Sequence, residues 1–431
     1  MRGIVRLTIA GAVGGVALAA ATIAGAQEIM IWHDKGEDGL RMIEQMSELY
    51  KKEHPNVTIK SLSMPTDQWF SRTIAALNTN TAPDIIFNDN PRIVQIQQTT
   101  RKLSDLKPQL EQLSADDRKA ISPADVAAST YQDRLLQIPF QRTMTGLGVR
   151  KSWLAKVGEP YPVTWDDVLR VAKKFQEEDP DGNGRKDTFG IAMQAGDPAS
   201  MINAGISLLV YGNSLPHPVI DDKGEIIIDQ PDVAKATIEY LKLFTDYKLV
   251  SPETVNHTFT DMYQLIEGGR VGMFRVGNWN VGKWDKSPPA GDYIVGGYPT
   301  FGPGPGALVV GSVRGMAVPE NAKNKEAAKE FVKFIVSKGA QQISLNNMGG
   351  SLRADLETSS LTPGLKPFVE ASKLQMDDFA AAKFPWYLKL QEAYYKHLIN
   401  AVNNPPADWN AWIKATAEAL RKEQSNLQKK G

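Results

Sequence analysis

Several polar residues sit where an apolar run stops, and their types suit the recognition of hydroxyl groups more than the breaking of bonds. His33 and Asp34 follow the apolar run ending at Trp32, and Asn88 with Asp89 follows Pro83-Asp-Ile-Ile-Phe87. Gln141 and Arg142 follow Leu136-Gln-Ile-Pro-Phe140, and Asn278 with Trp279 lies in a Gly/Asn setting behind Val271-Gly-Met-Phe274. An amide beside a carboxylate donates and accepts in one plane, and a tryptophan offers a flat apolar face, the pair of properties that a hydroxyl-rich ring demands. Trp32 and Trp69 are further candidates for ligand contact through their ring faces, and each candidate also has a plainer reading: Trp32 and Trp69 as core, Asn88 and Asp89 as a turn cluster, Arg142 as a solvated surface cation. Arg314 and Arg353 can fork onto hydroxyl pairs or an anionic group, or else make salt bridges between parts of the chain.

Enzyme signatures are missing. The chain has no Gly-x-Ser-x-Gly elbow, no His-Glu-x-x-His and no phosphate loop ending in Gly-Lys-Ser/Thr. Gly302-Pro-Gly-Pro-Gly306 is interrupted by two prolines, and His33, His54, His217, His257 and His397 show no metal-ligand spacing. Carboxylate pairs suited to glycoside hydrolysis can converge from anywhere in a chain, so a secreted carbohydrate-active enzyme stays open as an alternative. One acidic turn admits a metal: Asp179, Asp181, Asn183 and Asp187 fall at the first, third, fifth and ninth positions of a calcium loop. Its twelfth position is Gly190, where a bidentate Glu is needed. The expectation is a structural turn, with no metal and no cofactor.

The elements that must position these residues alternate. Ile29–Trp32, Val57–Ile59 and Pro83–Phe87 read as strands, and the spacing of Leu40, Ile43, Met46 and Tyr50, then of residues 69–77, predicts intervening helices. Leu136–Phe140 and Leu147–Arg150 read as two strands around a crossover. Thr164 and Asp167 stand at the spacing of a capping box, with Val163 and Val168 as the hydrophobic staple. Behind them Trp165, Val168, Leu169, Ala172 and Phe175 repeat at helical spacing. Strand–helix alternation implies a mainly parallel sheet covered on both faces, and ligands in such sheets lie at the carboxyl ends of the strands.

The order of four stretches resembles extracellular solute-binding proteins of family 1, the receptors that feed ABC importers. These are the strand and helix at Ile29 to Tyr50, Ala82-Pro-Asp-Ile-Ile-Phe87, Thr164 to Met193, and Gly268-Gly-Arg-Val-Gly-Met273 with Trp279 behind it; Gly311 to Phe334 looks like the family's return segment. The resemblance implies an α/β fold of the type II periplasmic-binding-protein kind, with two discontinuous lobes around a hinged cleft. It places the first lobe at 27–138 and 299–349 and the second at 139–298 and 350–431, with crossings near Pro139, Pro299 and Gly349-Gly350. It also implies a stacking role for Trp279, and close approach of backbone to ligand at Gly311-Ser312 and at Gly349 to Arg353. The expected ligand is a mono- or oligosaccharide, delivered by a monomeric receptor to permease subunits. Polyols, sugar phosphates and polyamines are the competing solutes.

Composition agrees with export. Arg2 and Arg6 precede an apolar stretch from Leu7 to Ile23, and Ala24-Gly25-Ala26 supplies small residues for cleavage, so 1–26 reads as a signal peptide and the periplasm as the destination. With no cysteine there is no disulfide framework and no lipidated cysteine. The 49 basic and 49 acidic residues become 47 and 49 once Arg2 and Arg6 leave, a net charge of −2. Neither nucleic acid nor anionic lipid is drawn to such a chain.

Overall fold

The computed structural model describes residues 27–286, 289–370, 374–376 and 384–430. The signal peptide expected at 1–26 lies outside the described residues, among which no helix is long and apolar enough to cross a membrane.

Strand β1 (Gln27–His33) pairs in parallel with β2 (Val57–Ser63), from Gln27 opposite Val57 to His33 opposite Ser63, and with β3 (Ile85–Asp89) on its other edge. A two-residue turn joins β4 (Thr130–Tyr131) to β5 (Arg134–Leu135), with Gln132 and Asp133 both at positive φ. The long β6 (Ile138–Val149) follows, then β7 (Phe189–Ala192), β8 (Val271–Gly277), β9 (Ile294–Gly296), β10 (Leu308–Ala317) and β11 (Leu374–Met376). The main sheet runs β2-β1-β3-β10-β6-β8-β7, with β9 added on β6 and β11 on β10.

Two strands carry the chain from one half of this sheet to the other. The end of β10 pairs with β3, Arg314 facing Asp89, while the end of β6 pairs with β8, Thr145 facing Gly277. Between them β6 and β10 pair antiparallel with one another, and their register shifts between Val310 and Ser312 and again between Arg314 and Gly315. Hydrophobic cores lie on either side of that passage. Ile29, Ile31, Met42, Phe87, Phe140, Met316 and Phe331 pack together at the β1 end, beneath the helices Gly36–Lys51 and Lys325–Phe334. At the β8 end Trp153, Trp165, Phe175, Ile191 and Met273 form another core with helices Pro231–Thr245, Tyr387–Asn403 and Trp409–Lys430.

The helix Trp165–Glu177 starts where its cap dictates. Thr164 Oγ1 accepts from the Asp167 amide at 3.2 Å, and Asp167 Oδ2 accepts from the Thr164 amide at 3.1 Å. The helix buries Trp165, Val168, Val171, Ala172 and Phe175. Gly272 makes room for it: a Cβ there would stand 2.0 Å from the Phe175 ring. Three expectations need revision. The sheet is mixed, not mainly parallel, because the long strands β6 and β10 run antiparallel to one another and to β8 and β3 respectively. Residues 138–149 form one continuous strand, not two around a crossover, and Asn88 to Pro91 is no loop, because β3 runs into the helix Asn90–Thr100 with Pro91 in its first turn.

Candidate ligand-binding site

The ends of β1 and β3 stand side by side and deliver their polar residues to one place. His33, the last residue of β1, is fully buried, and its Nδ1 accepts from the Lys35 amide at 3.1 Å. Lys35 Nζ lies 2.5 Å from Asp34 Oδ1 and 3.7 Å from Asp89 Oδ2. Asn88 is buried, and its side-chain oxygen accepts from the Asp89 amide. Burial, helped by the nearby Lys35 charge and opposed by Asp34, lowers the His33 pKa from 6.5 to about 4. The unfolded chain therefore binds more protons between those values, and stability falls as pH drops through that window. At pH 4.5 the cost from His33 is about 2 to 3 kcal/mol relative to pH 7. Denaturant midpoints at the two pH values should accordingly converge in His33→Gln relative to the parent, the lowered His397 acting equally in both.

The floor is built from β6 and β10. Asp89 Oδ1 accepts from Arg314 Nε at 2.8 Å and from Ser312 Oγ at 2.9 Å, and Ser312 Oγ stands 2.8 Å from Thr143 Oγ1. Burial pushes the Asp89 carboxyl up, but the charges of Arg314 and Lys35, with the hydrogen bonds from Arg314 and Ser312, outweigh it. They hold the group well below the usual carboxylate range. Beside these, Gln141 turns inward, its Nε2 donating to Ser344 Oγ at 2.7 Å. Arg142 makes a two-pronged pair with the fully buried Asp125, Nε to Oδ1 at 3.0 Å and Nη2 to Oδ2 at 2.6 Å.

Trp279 forms the far wall. It stands in the first turn of the helix Asn278–Trp284, directly after β8, rather than in a loop. Its ring lies over Gly277, where a Cβ would meet it at 2.5 Å, and its Nε1 donates to Tyr263 Oη at 3.1 Å. Two cations rest against the ring, with the Cζ atoms of Arg314 and Arg275 at 5.3 and 5.5 Å from its centre. Asn278 ties this wall to the passage between the cores: its Oδ1 accepts from the Met144 amide, and its Nδ2 donates to the carbonyls of Arg142 and Gly349.

The structure thus brings together His33, Asp34, Asn88, Asp89, Asn278, Trp279, Ser312 and Arg314, the last spanning from Asp89 to Trp279. Others face elsewhere. Trp32 packs beside the buried Trp69, Ile86 and Leu136, and Trp69 is core. Arg353 is held by three carboxylates, Asp116, Asp117 and Asp355. In the acidic turn Asp179 accepts from the Asn183 and Gly184 amides, and the Asn183 amide group bridges Asp181 and Asp187. Among the described residues no three His, Cys, Asp or Glu side chains are grouped to hold a metal. Lys35, Thr143 and Arg275 escaped the sequence reading; a charged residue inside an otherwise apolar strand was the available signal for Arg275.

Known proteins give this geometry a context. The polygalacturonan/rhamnogalacturonan-binding protein YtcQ of Bacillus subtilis (strain 168) is 28% identical over 152 residues, 35% of this chain and 30% of the relative. The fructooligosaccharide ABC transporter substrate-binding protein FusA of Streptococcus pneumoniae serotype 4 (strain ATCC BAA-334 / TIGR4) is 25% identical over 144 residues, 33% of this chain and 26% of its own. The chain thus matches less than a third of the length of either relative. Maltose-bound MalE3 of T. maritima shares the fold at a TM-score of 0.72 and 19% identity, over 92% of this chain and 99% of that one. The family model for bacterial extracellular solute-binding proteins matches residues 34–342. The chain belongs to the bacterial extracellular solute-binding proteins.

Proposed function

We propose that the protein is a periplasmic carbohydrate receptor that passes a mono- or oligosaccharide to an ABC import permease, binding without turnover. The observation that carries this reading is the meeting of a half-buried indole, Trp279, with a connected set of donors and acceptors, Asp89, Ser312, Thr143 and Arg314. A sugar presents an apolar ring face and several hydroxyl groups, and that pairing matches both. What the relatives are named for supports it: polygalacturonan and rhamnogalacturonan, fructooligosaccharide, and maltose.

Closure supplies the mechanism. The two lobes are joined through β6, β10 and the segment at Gly349-Gly350, and Asn278 clasps two of these crossings. A ligand that touches both sides favours the closed state by its difference in affinity for the two states. The closed face then engages the permease.

A thermal-shift screen of the leader-free protein against mono-, di- and oligosaccharides, polyols, sugar phosphates and polyamines tests the reading. Saccharide at about 100 times its dissociation constant should add about 2.7 kcal/mol of stability, and chromatography should recover the sugar unchanged. Stabilisation by polyamines alone, or consumption of the sugar, overturns it.

A further inference from the structure

Every other guanidinium of this region has found its partners inside the protein. Arg314 is paired with Asp89, Arg142 with Asp125, and Arg353 with Asp116, Asp117 and Asp355. Arg150 donates to the carbonyls of Val271 and Ile266. Arg275 stands apart. Among the described residues no carboxylate lies within 4.0 Å of it, and its one hydrogen bond runs from Nε to Tyr298 Oη at 3.2 Å.

Yet Arg275 is held, not loose. Tyr298 Oη donates onward to Thr145 Oγ1 at 2.8 Å, so the Nε contact is anchored to β6. The guanidinium carbon rests 5.6 Å from the Phe259 ring centre and 5.5 Å from that of Trp279. Between two rings the group has few orientations, and the bond to Tyr298 selects among them. Among the described residues neither terminal nitrogen has a protein acceptor. Beside Nη2 the backbone is Gly311, which presents no side chain there; even a Cβ added to it would remain 3.8 Å away.

Charge points the same way. Of the two cations on the Trp279 ring, Arg314 is paired with Asp89, which also meets Lys35, and Lys35 in turn holds Asp34. His33 adds no charge at neutral pH. Among the described residues the half-buried fork of Arg275, beside the ring assigned to stacking, therefore has no carboxylate within 4.0 Å to pair with. Guanidinium forks of this kind match planar carboxylates.

We propose that the carbohydrate this protein recognises is acidic, a sugar carrying a carboxylate such as a uronic acid or its oligomer, and that Arg275 receives that carboxylate. The inference rests on the carbohydrate-receptor reading above and narrows it. Arg275 acts as the specificity-determining residue, with Trp279 under the ring and the Asp89 cluster on the hydroxyls. A hydrogen-bonded contact to a charged group contributes enough to separate an acidic sugar from its neutral counterpart by about 10- to 100-fold.

The test is calorimetric titration of the full leader-free chain with mono-, di- and trigalacturonate and with galactose and its α-1,4-linked di- and trimers, which differ from the acids only at C6. The parent protein should bind one of the acidic sugars at least about tenfold more tightly than its neutral partner. Arg275→Gln should erase that preference by weakening the acidic sugar alone, and Arg275→Lys should keep part of it, with melting temperatures checking that both variants fold. Equal or tighter binding of the neutral member, or a loss in Arg275→Gln shared equally by both, overturns the inference while leaving the carbohydrate reading intact. If neither sugar series binds, in this assay or in the wider saccharide screen, the carbohydrate reading falls as well.

Discussion

Replacing Arg142 by Met should lower the unfolding free energy by about 3 kcal/mol and leave the affinity for ligand nearly unchanged. Asp125 is the reason. It is fully buried, and among the described residues its carboxylate is met, apart from the two arms of Arg142, only by the amide and hydroxyl of Ser122. Removing one partner of a buried pair strands the other charge, a loss of about 3 to 5 kcal/mol. The low end applies because the Arg142 side chain is itself 22% exposed. The third contact, Nη1 to the Leu352 carbonyl at 3.3 Å, ties in the segment that follows Gly349-Gly350. Urea midpoints, read with an unchanged slope, measure the effect. The double replacement Arg142→Met with Asp125→Leu should recover most of the loss, since no charge is then left unpaired. Were Arg142 a ligand contact instead, the single variant would keep its midpoint and lose affinity.

Arg142 also marks how far local pattern reaches. The capping box of Thr164 and Asp167 could be read directly because both partners lie within one turn. The strand ends at His33 and Asp89 were legible because an apolar run gives way to polar residues there. By contrast Gln141, Thr143 and Thr145 read as a break in β6, although all three are buried in one continuous strand. Their polarity has a different cause: Gln141 binds Ser344, Thr143 binds Ser312 and Thr145 binds Tyr298. Such partners lie more than 150 residues away in sequence, and no local window contains them. The same distance hides the pair of Asp89 with Arg314, 225 positions apart. Arg275 was lost to a boundary, because reading β8 as ending at Phe274 placed this residue outside the strand that presents it.

Trp279→Ala should weaken carbohydrate binding by about 1 to 3 kcal/mol, roughly 5- to 150-fold in dissociation constant. The indole is fixed before any ligand arrives, lying over Gly277, donating to Tyr263 and sitting in the first turn of a helix that Asn278 ties to β6. A ring so held meets a sugar without first being ordered, and that saving is part of its contribution. Arg275 and Arg314 both lean on it, so the substitution also removes the surface that orients the two cations. For that reason Trp279→Phe is the informative companion. It keeps an aromatic face for both sugar and guanidinium but loses the donor to Tyr263, and it should retain most of the affinity that the alanine variant loses. Calorimetry on the two variants, with melting curves recorded alongside, separates the roles. An alanine variant that melts earlier yet binds as the parent does would make Trp279 a packing residue, and the recognition of the ring face would have to come from another aromatic side chain.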